Sequence, residues 1–170
     1  MRTIATAVAL LTVAACSAAT SGPDASPLAH DAATVDAPPG GPCPLIVNEV
    51  AAAGVPDDWF ELLNVSDAPV ELAQLRFTDE AADLAGAIPL PATVLAPGAR
   101  HVQEVSDAAN GFGLGAGDAL WIYWAGVAQP CTGVDWDSGD APAGGSWARV
   151  PDGTGAYRTT TPDTRGVANR

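Results

Sequence analysis

The sequence predicts an all-β fold, a sandwich or barrel, on three observations. After Cys43 the chain is a series of short apolar or alternating runs. Clusters of Gly, Pro, Asn, Asp and Ser separate them: GVPDD, SDAP, APGA, NGFGLGAGD, SGDAPAGG and PDGTG. The single helix-like stretch, Asp79 to Ala87, is short with proline stops just beyond it, so a loop or one turn is expected there.

Residues 1–15 read as an export signal. One early charge, Arg2, precedes an uncharged apolar run from Ile4 to Ala15. That run is too short to span a bilayer and fits a signal-peptide core. Its end, Val13-Ala14-Ala15-Cys16, resembles a bacterial lipobox. The resemblance implies cleavage before Cys16 and a diacylglycerol on its sulfur, with the chain facing the periplasm or the extracellular side. Ordinary signal-peptidase cleavage at a small-residue site is the alternative.

Residues 16–42 are rich in Ala, Pro, Ser, Gly and Asp and have no hydrophobic periodicity, the composition of a disordered tether. Such a tether reaches roughly 30 Å and would hold a domain clear of a headgroup layer.

Residues 43–170 are the predicted domain. Leu45 to Val50 is a short apolar strand. From Trp59 to Val65 the pattern alternates, with Phe60, Leu62 and Asn64 on one face and Trp59, Glu61 and Leu63 on the other. The first face belongs inside, which leaves Asn64 at the strand end to bond loop backbone. Leu72 to Thr78, Thr93 to Leu95, Ala99 to Val105, Ala119 to Ala125, Gly133 to Trp136 and Ser146 to Val150 follow as strands.

With Cys16 lipidated, Cys43 and Cys131 remain, an even pair in an exported chain and therefore a disulfide candidate. Closing a loop of about 88 residues is worth on the order of 4 kcal/mol in the chain-entropy model. Neither cysteine has a histidine near it in sequence, which argues against a catalytic thiol. Two cysteines and His101 are too few for a structural zinc site.

Charge narrows the partners. The chain has no lysine, seven arginines and twenty acidic residues, all of the latter at or after Asp24. Loss of residues 1–15 would remove Arg2 and leave six arginines against twenty acids, a net of −14. Such a surface repels phosphate backbones, so no nucleic-acid partner is expected.

The order of the pieces resembles a lamin tail domain, an immunoglobulin-like β-sandwich that also occurs in exported bacterial proteins. Asn48-Glu49-Val50 is similar to that family's N-E-V close of the first strand. Trp59, Glu61, Leu62 and Asn64 resemble W-x-E-L-x-N. Val70-Glu71-Leu72 and Phe77-Thr78-Asp79 are similar to the V-D-L and L-S-D steps, and Leu95 to Gly98 to the turn that follows. Phe112 to Leu114 with Gly117-Asp118 resembles the approach to a hydrophobic strand. Ser146 to Arg149 with Pro151-Asp152-Gly153 is similar to S-x-x-R-x-P-D-G. Thr161-Pro162 through Gly166 to Asn169 resembles the closing T-P-x-x-G-x-x-N. The resemblance covers about residues 45–169 and implies no catalytic role for Glu49 or Glu61. Arg165 departs from it, standing where proline is usual, and Trp121, Trp124 and Trp136 make this chain richer in aromatics.

Several constellations carry candidate chemistry. Glu49 and Glu61 can be neighbours on paired strands, the arrangement of an acid pair; the expected alternative is a sheet edge or pairing with Arg76 or Arg149. Asp135, Asp137 and Asp140 lie in a glycine-bearing loop at the near-alternate spacing of calcium ligands, without the distal glutamate of a full calcium loop. Trp121 and Tyr123 share one strand face, and with Trp136 they are candidate ligand-binding aromatics. The glycine-rich GFGLGAGD lacks the following helix and lysine of a phosphate loop and reads as a turn.

These observations lead to an expected cell-envelope lipoprotein with no enzymatic activity and no obligatory cofactor. Its sandwich would serve as a binding, scaffolding or adhesion module for a protein or glycan partner. A calcium-assisted glycan-binding module is the alternative, and an accessory unit of an exported hydrolase is a more remote one.

Overall fold

The structure is a computed structural model and describes residues 42–170. The export signal, the tether and Cys16 lie outside the described residues. Strands β1 (Leu45–Ala51), β2 (Asp58–Asn64), β3 (Val70–Glu71), β4 (Leu75–Thr78), β5 (Ile88–Pro89), β6 (Val94–Leu95) and β7 (Arg100–Val105) are followed by one turn of helix, α1 (Asp107–Asn110). Then come β8 (Asp118–Trp124), β9 (Pro130–Trp136), β10 (Ser146–Val150) and β11 (Ala156–Thr160). Pairing is antiparallel throughout the described residues. One sheet has the order β11-β10-β1-β2-β7, a second β5-β4-β8-β9, and β3 pairs with β6 as a ribbon.

The architecture is a mostly-β domain of open antiparallel sheets, consistent with a β-sandwich. Leu45, Val47, Val50, Phe60 and Leu62 from the first sheet form one buried cluster with Leu75, Phe77, Leu120, Ile122 and Val134 from the second. Phe60 and Phe77 meet edge to face across it, with ring centroids 5.2 Å apart. Fully burying side chains of this size stabilises by about 1.5–3 kcal/mol each. Cys43, just before β1, is bonded to Cys131 of β9 with Cα atoms 5.0 Å apart, so the bridge ties one sheet to the other.

A register shift in β1 decides which residues face this core. Val47 stands opposite Leu62, but Glu49 stands opposite Glu61, so Asn48 is an extra residue in the ladder. Strict alternation from Leu45 and Val47 would send Glu49 into the apolar core and Val50 out of it. The bulge reverses this. Val50 joins the core, while Asn48 and Glu49 both turn to the other face of the sheet.

Five elements differ from the sequence expectation, among them α1, which was not expected, and Leu72–Gln74, a 3-10 turn where the strand Leu72 to Thr78 was expected to begin. The stretch 79–87 is a run of turns, as expected. Ile88–Pro89 and Ala156–Thr160 are strands that the pattern did not predict. Both sit at sheet edges, where one backbone side is unpaired and apolar alternation is not required. The two-residue β3 is likewise too short to show a period.

Candidate functional site

The outer face of the five-stranded sheet, away from the hydrophobic core, carries a buried polar network. Glu49 and Glu61 point onto it from adjacent strands, and both are 0% exposed. The chain's own last residues, 161–170, and the turn at 151–155 cover them.

Each carboxylate oxygen of the pair is occupied from within the chain. Glu49 Oε1 accepts from the Thr164 backbone N–H at 2.8 Å and from the Ser146 hydroxyl. Thr164 Oγ1 lies 2.8 Å from Glu49 Oε2 and 2.8 Å from Asn169 Oδ1, and its single proton serves one at a time. Glu61 Oε1 accepts from Asn48 Nδ2 at 2.8 Å, and Glu61 Oε2 from the Gly166 N–H at 3.1 Å. Arg100 Nε lies 3.3 Å from Glu61 Oε1. That is near enough for an ion pair but misaligned for a hydrogen bond, and this N–H has no other partner among the described residues. Arg100 therefore takes the counter-ion role expected of Arg76 or Arg149. Burial pushes the Glu61 carboxyl up to about 7, against the opposing effects of Asn48 and Arg100.

Asp152 extends the network. It pairs with the second arm of Arg100, and its Oδ1 accepts from Asn48 Nδ2 and the Asn169 N–H, both at 3.0 Å. The Gly153 N–H donates to Asn48 Oδ1 at 3.0 Å. Gly153 has φ +70, a left-handed backbone that favours glycine, and a Cβ there would lie 2.8 Å from a Leu63 methyl, which would have to shift. Asn169 closes the segment by donating to the Asn48 and Arg149 carbonyls at 3.1 Å each. Arg149 itself bonds the Val47 and Gly155 carbonyls and lies 4.4 Å over the Tyr157 ring.

Trp59 shares this face and is also covered, at 1% exposure. The Arg165 guanidinium lies 5.6 Å from its ring centroid and is ion-paired with Glu104 of β7 at 2.6 Å. Thus Asn48, Glu49, Trp59, Glu61, Arg149, Asp152 and Gly153, far apart in sequence, meet in one region. Asn64 does not. At the end of β2 its Nδ2 donates to the Ala68 and Leu95 carbonyls at 2.8 and 2.9 Å, and its Oδ1 accepts from the Ser66 N–H. This is the loop-bonding role that its strand-end position predicts.

The aromatic candidates fall elsewhere. Trp121 and Tyr123 do share the outer face of β8, but Tyr123 is 2% exposed, and its hydroxyl accepts from the Ala82 N–H at 3.0 Å. The half-buried Trp121 ring lies on Gly133, where a Cβ would sit 2.4 Å from the indole. Trp136 is 4% exposed and donates from Nε1 to the Gly115 carbonyl at 3.0 Å. These three therefore form no solvent-facing platform. Trp136 nevertheless lines the wall of a surface groove of about 340 Å³, together with Trp147 and Tyr157, stacked at 6.0 Å, and with Asp135, Asp137 and Asp140. Tyr157 was not distinguishable in sequence, because it sits on the unpredicted edge strand, whereas Trp147 lies on the predicted strand Ser146–Val150 and was not singled out as a binding aromatic. Asp140 Oδ2 accepts from the Asp137 N–H at 3.0 Å, a turn-closing bond. Among the described residues no three His, Cys, Asp or Glu side chains converge as a metal-holding group.

The fold defines a class, an antiparallel mostly-β domain with one inter-sheet disulfide. Compared with protein-family models, curated proteins and solved structures, the chain matches none. The disulfide suits an oxidising, extracytoplasmic compartment. No described helix is long and apolar enough to cross a membrane.

Proposed function

We propose that this chain is a non-catalytic cell-envelope lipoprotein, anchored through Cys16, whose immunoglobulin-like, lamin-tail-like sandwich is a binding or scaffolding module. One observation carries the reading. The only acid pair suggested by the sequence is fully buried, and all four of its oxygens are occupied by groups of the same chain. A general acid or base must reach a substrate proton, and these carboxylates instead hold down the closing segment. The resemblance to lamin tail domains gains support because Asn48, Glu49, Glu61, Asp152, Gly153 and Asn169, six of the residues that carry it, belong to one network.

Mass spectrometry of the mature N-terminus and a pull-down from envelope extract test the reading together. A diacylated Cys16 and a saturable partner are expected. An unmodified N-terminus would remove the anchor, and a hydrolytic activity abolished by E61Q would remove the non-catalytic assignment.

A second reading, glycan binding, is favoured by the groove of Trp147, Tyr157 and the three aspartates, since stacked rings beside hydroxyl acceptors suit a sugar. A glycan array with and without chelator separates a calcium-assisted site from a calcium-free one.

A further inference from the structure

We propose that the groove between β11 and the closing segment docks an extended, carboxylate-rich peptide. The inference deepens the binding-module reading and rests on it. The groove has a volume of about 640 Å³, with Val150, Arg158 and Thr160 on the sheet side and Thr164, Val167 and Arg170 on the other. No aspartate or glutamate lines it. That absence is unusual in a chain with twenty acidic residues and seven arginines.

The two arginines are also uncommitted. Arg100 and Arg165 are ion-paired and Arg149 is bonded to carbonyls, whereas Arg158 and Arg170 have no carboxylate partner among the described residues. Two guanidinium groups in a concave site that no aspartate or glutamate side chain lines raise the local positive potential on an otherwise negative surface. Their planar forks match carboxylates. The Thr161 hydroxyl supplies a further donor, and Val150 with the 55% exposed Val167 offers apolar contact for side-chain stems.

Backbone geometry selects an extended peptide over a compact anion. β11 ends the five-stranded sheet and pairs only with β10. Its free side offers N–H and C=O groups to an added strand. An arginine on an edge strand is by itself ordinary protection against sheet extension. Arg170, arriving at the same groove from a separate segment, has no part in that protection.

Fluorescence anisotropy on the full mature chain tests the proposal, using a labelled alternating Glu-Thr peptide and its Gln-Thr counterpart at near-physiological salt. The glutamate peptide is expected to bind about tenfold more tightly, and R158Q or R170Q to remove most of that preference. R76Q, on the other sheet, should leave it unchanged. Amide hydrogen exchange should show added protection within Ala156–Thr160 when the peptide binds. Equal affinity for the two peptides, indifference to R158Q and R170Q, or protection confined elsewhere would overturn the proposal. So would Arg-dependent binding of phosphatidylglycerol vesicles without peptide binding, which would assign the groove to a membrane. A pull-down partner retained by the R158Q/R170Q double variant would also overturn it, while leaving the binding-module reading intact.

Discussion

Glu49 and Glu61 stand directly opposite each other on β1 and β2, both out of contact with water, and each holds a different residue of the closing segment. Glu49 binds Thr164 and Glu61 binds Gly166. The segment adds no strand to the sheet. Its attachment is by side chains, and the carboxylate pair is the centre of it.

Stability should fall as pH rises across the range where Glu61 titrates. Its carboxyl is raised by burial from 4.5 to about 7 in the fold. A raised folded value means that the native state takes up the proton first. The stabilisation is therefore complete below about 4.5 and lost as pH rises through about 7, a change on the order of 3 kcal/mol. Urea unfolding of wild type and E61Q at pH 5 and pH 8 measures it; the variant should lose most of the difference. Equal pH slopes in the two proteins would sink the claim.

Removing the Thr164 hydroxyl should loosen the closing segment. T164V keeps the shape but leaves Glu49 Oε2 and Asn169 Oδ1 without their shared donor. A loss of about 1–3 kcal/mol is expected in chemical denaturation. Faster amide exchange at Gly166 and Asn169, whose N–H groups bind Glu61 and Asp152, should accompany it.

N64A should be more costly than an ordinary strand-end substitution. It removes a donor from one carbonyl on each side of the 65–97 excursion, Leu95 and Ala68, the second of which keeps only the Ser66 hydroxyl, and it frees the Ser66 turn. We expect a destabilisation of about 2–4 kcal/mol. N64D should be similarly poor, because a carboxylate cannot donate to either carbonyl.

Reduction of Cys43–Cys131 should lower the unfolding free energy by about 4 kcal/mol, as the bridge closes a long loop between the two sheets. Calorimetry with and without reductant reads the shift. Two free thiols in non-reducing peptide mapping would refute the bridge itself.

Much of the architecture was legible because it rests on local chemistry. Alternation along Trp59 to Val65 assigned Phe60 and Leu62 to the core, and turn residues marked most strand boundaries. Asn64 could be read as a cap because a strand-end amide beside a turn has few other uses. The edge strand Ala156–Thr160 was not legible, since it has no apolar period. The Tyr157 side of the groove was missed with it, although Trp136, Asp135, Asp137 and Asp140 on the same groove were candidates from the sequence.

By itself, then, the sequence determined the strand-rich class, the cysteine pair, the acidic balance and the two faces of β2, all of which follow from composition and short-range periodicity. It also set Trp59 and Glu61 on the face away from the core. What that face meets was decided only by tertiary structure. Arg100, Asp152, Arg165 and Gly166 reach it from far along the chain, and a one-residue bulge at Asn48 brings Glu49 onto it. A local pattern records which way a side chain points; it does not record which distant segment arrives to satisfy a buried charge.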